Sequence, residues 1–197
     1  MLETAGKVTR NLRLLIENVS PESNDEPVDV REKMRGLKTK YESELRKMIE
    51  EAGTYSREVG AAICTGPDGA LHLSRSCWGS ENRVVIKDCV GYHPFGSYHT
   101  HLGGESGEYF STMDLRQTQE KLMCLGNCRN GVYMLKCITR PVDIETREKI
   151  SQILSELGYL EFLSRVQVVH DRQQRMNRMY DLHRQAEQLM GVQQTAL

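Results

Sequence analysis

The feature that most constrains the fold is a change of hydrophobic period near residue 58. Between residues 29 and 52, apolar residues recur every three or four positions, which predicts an amphipathic helix through Val30, Met34, Leu37, Tyr41, Leu45, Met48 and Ile49. Asp29 is the expected N-cap of this helix, and Gly53 is the expected glycine at its end. Shorter apolar runs bounded by turn residues follow, and these are typical of strands. The chain therefore alternates helices with strands, which predicts a mixed α/β fold.

Between residues 59 and 138 the pattern predicts several strands and one helix. The residues Thr65-Gly66-Pro67-Asp68-Gly69 form a turn by type, so the segments on either side of them are expected to pair as a hairpin. The predicted strands are 59–64, 70–73, 83–86, 96–101 and 132–138. A glycine-rich loop over 102–110 and a helix over 112–124 lie between the last two strands.

Helices are expected at both ends of the chain. An apolar stripe predicts a helix over residues 1–19, and the polar stretch from Ser20 to Pro27 is typical of a linker. After Pro141 we expect helices over 143–157 and 159–190, interrupted at Gly158. The second of these either packs on its own domain and then protrudes, or serves as a dimerisation or docking arm. The chain thus divides into an N-terminal helix and linker (1–28), one α/β domain (29–141) and a C-terminal helical extension (142–197).

Charge and composition exclude some classes of partner. The sequence has 197 residues, 26 Lys and Arg against 27 Asp and Glu, and a net charge of −1. No basic excess points to nucleic acid or to an anionic membrane. No apolar run approaches the roughly 18–20 residues of a membrane span, and the first residues lack the pattern of a secretory signal. These features predict a cytoplasmic protein.

The six cysteines suggest packing more than metal binding. Cys64, Cys89 and Cys137 lie in apolar, strand-like stretches, where a free thiol packs as a small hydrophobic group. An even number of cysteines permits disulfides, although a chain of this length does not require them. Cys124 and Cys128 lack the second pair that a zinc knuckle uses.

The segment from His99 to Asp114 carries the residues best suited to catalysis. His99 and His101 are two positions apart on a predicted strand, so both imidazoles face the same side. Asp114, at the start of the next predicted helix, can supply a third ligand, and the helix dipole there favours an ionised carboxylate. Two histidines, one carboxylate and a water form a catalytic zinc site. Two alternatives stay open: an H-x-H pair occurs often by chance, and Ser111-x-x-Asp114 fits a helix capping box.

These residues resemble the JAMM motif of MPN-plus zinc metalloproteases, which combines an upstream glutamate, H-x-H, a short loop and S-x-x-D. The corresponding residues are Glu58, His99, His101, Ser111 and Asp114, and the resemblance covers roughly residues 30–140. Two features differ from the family pattern: Leu102 replaces the usual proline, and the loop to Ser111 has nine residues instead of seven. Added loop residues cost little in closure entropy, so the longer loop is compatible with the motif.

The resemblance implies a fold, a cofactor and a reaction. The fold would be a single MPN-like (cytidine-deaminase-like) mixed sheet flanked by helices, with extended N- and C-terminal helices. Zn²⁺ would bind His99, His101 and Asp114 and activate a water. Glu58 would act as general base, and Ser111 would help to stabilise the oxyanion.

The implied substrate is a peptide or isopeptide bond, such as one at the C-terminal tail of a ubiquitin-like or sulfur-carrier protein, bound as an added strand. The compact segment between Glu58 and Asp114 resembles minimal, prokaryote-like members of the family. The chain would then be a deubiquitinase-like isopeptidase, with a homo-oligomer or a docking partner held through its C-terminal helix.

Two other functions compete with this hypothesis. A catalytically silent MPN-like scaffold, assembling through its flanking helices, would usually have lost a ligand, whereas this chain retains each one. A nucleobase deaminase would need H-x-E and P-C-x-x-C motifs, which the sequence lacks.

The remaining aromatic and loop residues carry weaker expectations. His72 and His93 are expected to be surface or packing residues, and His170 and His183 are expected to be solvated on the last helix. Trp78 belongs either to the core or to the cleft. Residues in the 102–110 loop either contact substrate or form a mobile flap.

Overall fold

The computed structural model describes residues 27–87, 89–102, 105–117, 120–141, 143–166 and 171–197. The helix expected over residues 1–19 lies outside these ranges. The helices and strands are α1 (Val30–Tyr55), β1 (Val59–Thr65), β2 (Leu71–Leu73), β3 (Cys77–Trp78), β4 (His93–Thr100), a 3-10 turn (Glu105–Glu108), α2 (Thr112–Gln117), β5 (Leu122–Arg129), β6 (Val132–Ile138), α3 (Ile144–Arg165), α4 (Arg172–Leu189) and β7 (Gln193–Ala196).

The strands form one mixed sheet in the order β2-β1-β4-β5-β6-β7, with β3 also paired to β1. Each pair is antiparallel except β4–β5, which is parallel, with His99 opposite Leu125. Parallel neighbours require a crossover connection, and here that connection carries the 3-10 turn and α2 across one face of the sheet. The predicted mixed α/β architecture is confirmed.

Helices cover both faces of the sheet. The apolar stripe of α1 packs on one face, where Leu37 and Leu45 contact strand residues such as Val59 and Tyr98. On the other face, Leu157 of α3 and Leu182 of α4 pack against β5, β6 and Phe110; this second layer also includes Leu115, Met123, Leu125, Ile138, Ile150, Leu154, Ala186 and Met190. Burial of each large aliphatic side chain contributes about 1.5–3 kcal/mol. Both α3 and α4 therefore pack on their own domain, which is one of the two arrangements expected for the C-terminal region.

Several predicted boundaries are wrong, each for a local reason. The first helix continues past Gly53 to Tyr55, and Ser56 ends it in the left-handed conformation at φ 50°. The helix expected over 112–124 ends at Gln117, and Leu122–Arg129 is a strand. Alternate residues of β5 face the two helical layers, so its apolar run is continuous and lacks the alternation of a half-buried strand.

The segment 83–86 is not a strand. It lies over β1 instead, where a Cβ added to Gly60 would be 3.0 Å from Ile86 and 3.1 Å from Val84. Val84 and Ile86 therefore pack on the face of β1, and their segment does not pair with the sheet as a further strand.

The C-terminal helices also break at a different place from the one expected. Gly158 lies inside α3, and the two helices end and begin at Arg165 and Arg172. A side chain at Gly158 would lie 2.6 Å from the guanidinium of Arg116, which donates a hydrogen bond to the Leu154 carbonyl. The glycine therefore makes room for a contact with α2 and does not end a helix. None of the described helices combines the length and apolar character needed to cross a bilayer.

Four cysteines form two disulfide bonds, Cys64–Cys89 and Cys124–Cys137, and Cys77 and Cys128 are free thiols. The sequence leaves open whether the cysteines are paired, and the structure pairs all three of the cysteines that lie in apolar stretches, Cys64, Cys89 and Cys137. Cys124 and Cys137 are direct partners in the β5–β6 register, and such cross-strand neighbours lie close enough to bond. Cys64 on β1 ties the segment around Cys89 back to the sheet.

Candidate metal centre

The two histidines reach the same face of the sheet through the alternation of β4. Tyr98 points into the α1 layer, where its hydroxyl donates to the Leu45 carbonyl at 3.3 Å, so His99 points to the opposite face. The backbone N–H of His101 still donates to the Gly126 carbonyl of β5 at 3.1 Å, which holds this residue in line with the strand. Both imidazoles therefore meet at the end of β4, as the sequence predicts.

Asp114 reaches the histidines from the first turn of α2. The Ser111 hydroxyl accepts a hydrogen bond from the Asp114 N–H at 3.1 Å, and the Ser111 N–H donates to Asp114 Oδ2 at 2.7 Å. This reciprocal pair is a capping box, so the capping interpretation of Ser111 and Asp114 is confirmed. It is compatible with metal binding, because the same carboxylate oxygen faces both histidines.

The spacing of the three ligand atoms fits a small tetrahedral cation. The two Nε2 atoms of His99 and His101 are 3.2 Å apart, and Asp114 Oδ2 lies 3.5 Å and 3.4 Å from them, respectively. Zinc bonds of about 2.0–2.1 Å at tetrahedral angles separate neighbouring ligand atoms by about 3.3–3.4 Å. The His99, His101 and Asp114 group could therefore bind a metal ion.

The three side chains of the candidate metal centre are mostly buried, but they remain partly accessible to solvent. The side chains of His99, His101 and Asp114 are 6%, 11% and 20% exposed, respectively, so the carboxylate side of the cluster is the more open one. The edge of the Phe110 ring packs against His99, with ring centroids 6.3 Å apart, and closes the inner side. Three protein ligands with one accessible side are typical of catalytic metal sites, whereas structural zinc sites have four protein ligands.

Glu58 lies on the same face of the sheet as the two histidines. Gly60 is opposite His99 in the β1–β4 register, so two residues earlier Glu58 reaches the level of His101. The backbone of Glu58 makes two hydrogen bonds: its carbonyl accepts from the Gly79 N–H, and its N–H donates to the Ser80 carbonyl. These two bonds fix the backbone at this point. Glu58 is 8% exposed, so its carboxylate is largely withdrawn from bulk water.

The two carboxylates experience opposite pKa shifts. Burial raises the pKa of Glu58 to about 7, with the charge of His101 opposing this rise and that of Asp114 adding to it. Burial also acts to raise the pKa of Asp114, but hydrogen bonds and charge from His101 and His99 hold it far below its ordinary value. In the absence of a metal ion, Asp114 is thus held ionised beside the two histidines, while the Glu58 carboxyl exchanges its proton near neutral pH.

Residues outside the predicted site also shape it. Thr100 is fully buried between the two histidines, and its hydroxyl accepts the Val59 N–H at 2.9 Å. Glu120 accepts a hydrogen bond from the Ser97 hydroxyl on the face of His99, and burial raises the pKa of Glu120 against the effect of that hydrogen bond. The expected helix over 112–124 would have placed Glu120 on its surface, so nothing in the sequence pattern marks it.

None of the other described histidines belongs to the group of His99, His101 and Asp114. His72 stacks on Tyr92 with ring centroids 4.6 Å apart, and His93 is exposed at the start of β4. His183 is not solvated, because it stacks on Tyr109 and burial lowers its pKa. His170 lies outside the described residues. Trp78 is half exposed and packs edge-on against Tyr55, on the α1 side of the sheet.

Comparison with protein-family models, curated proteins and solved structures finds no match for this chain. The resemblance to the JAMM family therefore rests on the five motif residues. The MPN-like form of the fold stays a prediction.

Proposed function

We propose that this protein is a zinc-dependent hydrolase of the JAMM type that cleaves peptide or isopeptide bonds. The observation that carries the proposal is the spacing of the His99, His101 and Asp114 ligand atoms, all within 3.2–3.5 Å of one another. Two histidines and one carboxylate with an open side form the ligand set of a catalytic zinc site. Neutral imidazoles and a carboxylate also bind other divalent metals, so zinc is the proposed choice among them.

Each residue of the site has a role in this reaction. A bound zinc ion supplies a Lewis acid that makes water nucleophilic near neutral pH. Glu58 lies on the same face of the sheet as the two histidines and is largely withdrawn from bulk water, so it is placed to accept the proton of the attacking water and return it to the leaving amine. The Ser111 hydroxyl can cap α2 through its oxygen and donate its proton at the same time, so it is able to stabilise the oxyanion.

The substrate we propose is the extended C-terminal tail of a ubiquitin-like or sulfur-carrier-like protein, bound as an added strand. This choice follows the resemblance to the family. A cytoplasmic location is likewise a proposal, and the two disulfide bonds count against it, because reducing compartments keep such thiols unpaired.

The test is hydrolysis of a ubiquitin C-terminal fluorogenic amide by the zinc-loaded protein and two variants. Glu58→Gln keeps the three ligands and removes the proton acceptor, so we expect metal content like that of the wild type and turnover reduced about 10²–10⁴-fold. Glu81→Gln, an exposed change just before the 83–86 segment, is the matched control and should keep full activity.

Two results would contradict the proposal in different ways. Turnover of Glu58→Gln equal to the wild type would reassign the base. Zinc-loaded wild-type protein that cleaves neither this amide nor an isopeptide-linked ubiquitin pair would favour the catalytically silent scaffold.

A further inference from the structure

A buried ion pair joins the last helix to the sheet close to the metal centre. Lys136 Nζ of β6 lies 3.0 Å from Glu187 Oε2 of α4, and their side chains are 12% and 4% exposed. Burial raises the pKa of Glu187, and the charge and hydrogen bond of Lys136 lower it. A buried ion pair is often no more stabilising than an apolar pair of the same size. Core stability alone therefore does not account for this pair.

Both partners also bind the same stretch of backbone. Glu187 Oε1 accepts the Phe110 N–H at 3.1 Å, and Lys136 Nζ donates to the Glu108 carbonyl at 2.6 Å. Asn127 Nδ2 donates to the Gly107 carbonyl at 2.9 Å, just before this stretch. The second half of the 102–110 loop is thus anchored to β5, β6 and α4, and it is not a free flap.

The anchored stretch leads directly into the metal ligands. Phe110 is fully buried and its ring packs against His99. The next residue, Ser111, holds Asp114 Oδ2 through its backbone N–H. A shift of the backbone at Phe110 would therefore move both the ring beside His99 and the donor that orients Asp114.

We propose that Glu187, paired with Lys136, is a positioning residue that holds the Glu108–Ser111 backbone where Asp114 can bind the metal ion. Glu187 lies 77 residues beyond Phe110 in the sequence. Through this residue, the C-terminal helix α4 would help to position the ligands of the candidate metal centre. The inference rests on the metal site of the proposed function.

Metal affinity tests this role separately from folding. Zn²⁺ dissociation constants are measured by chelator competition for the wild type, Glu187→Met, Lys136→Met and the double variant Lys136→Met/Glu187→Met. Changes to groups that orient metal ligands weaken binding about 10–100-fold, and we expect at least the lower value for each variant. The matched control is Glu156→Gln, which breaks the exposed Arg178–Glu156 pair between α3 and α4 and should leave the affinity unchanged.

The double variant separates positioning from stability. It removes both charges, so its thermal midpoint should recover relative to the single variants. The Phe110 N–H has no acceptor from residue 187 in this variant, as in Glu187→Met, so metal binding should stay weak. A Co²⁺-loaded sample should show an altered visible absorption spectrum for the same reason. Affinities and spectra equal to those of the wild type would overturn the positioning role alone. A wild-type protein that takes up no metal would overturn the proposed function and this inference together.

Discussion

Glu58 lies level with His101 across the antiparallel pair of β1 and β4, on the face of the sheet that also carries His99. The charges of His101 and Asp114 both act on the pKa of Glu58, so its carboxylate is electrostatically coupled to the candidate metal centre although it is not one of the three grouped residues. Strand pairing alone therefore brings the expected base to the expected metal ligands.

The purified protein should hold about one zinc ion per chain, as expected for a site with three protein ligands. His99→Ala and Asp114→Ala should each lose most of this metal, because two remaining ligands bind a divalent ion weakly. Metal analysis by mass spectrometry after desalting measures the content. His93→Ala, an exposed change at the start of β4, is the control and should leave the metal content unaltered. Zinc retained in full by both ligand variants would remove the site assignment.

The metal-free protein should become less stable between about pH 4.5 and pH 7 because of Glu58. The unfolded carboxyl ionises near its ordinary value of 4.5, whereas burial keeps it protonated in the folded state up to about 7. The unfolded chain therefore binds fewer protons in this interval, and stability falls as the pH rises.

Glu58→Gln does not titrate, so its advantage over the wild type should grow from near zero at about pH 4 to about 1–2 kcal/mol at about pH 8, after allowance for screening by nearby water. Urea unfolding of both proteins in a chelator measures this difference. A difference that is independent of pH would show that Glu58 ionises normally in the folded protein.

Thr100→Val should destabilise the junction between β1 and β4. The substitution keeps the shape of the side chain but removes the acceptor of the buried Val59 N–H. An unsatisfied buried donor costs about 1–3 kcal/mol, which should appear as a lower free energy of unfolding in urea. Thr100→Ser keeps the hydroxyl and provides the reference for loss of the methyl group alone. A valine variant as stable as the wild type would mean that another acceptor serves the Val59 N–H.

The unreduced, denatured protein should react with two equivalents of a thiol reagent, at Cys77 and Cys128, and with six after reduction. Intact mass spectrometry counts the labels. The paired substitution Cys64→Ala/Cys89→Ala should lower the free energy of unfolding by about 2–4 kcal/mol, as expected for loss of a native disulfide. The matched change Cys77→Ala should have a smaller effect. Six reactive thiols before reduction would refute both pairings.

The candidate site was predictable because its geometry is local. Alternation along β4 places His99 and His101 together, and the same four residues that form a capping box bring Ser111 to Asp114. Glu58 is more distant in sequence, and its place was available only from the family resemblance. The structure adds a physical reason, since the β1–β4 register carries it to the level of His101.

Other parts of the molecule could not be predicted from local patterns. The apolar start of β5, Leu122 to Leu125, is buried on both faces, and such a run does not distinguish a strand from a helix. Val84 and Ile86 have strand-forming side chains that cover Gly60 without joining the ladder. Lys136 and Glu187 are ordinary members of an amphipathic strand and helix until tertiary packing brings them together.

The single parallel pair among the described strands, β4 beside β5, has a consequence for how the site tolerates change. Because β4 and β5 are parallel, the chain that leaves the end of β4 has to cross one face of the sheet to reach the start of β5. Asp114 lies on this connection, in the first turn of α2. The second half of that connection is held by hydrogen bonds to the backbone of Gly107, Glu108 and Phe110. A change in the length of the chain before Gly107 would therefore leave intact the contacts that support Asp114 beside the two histidines.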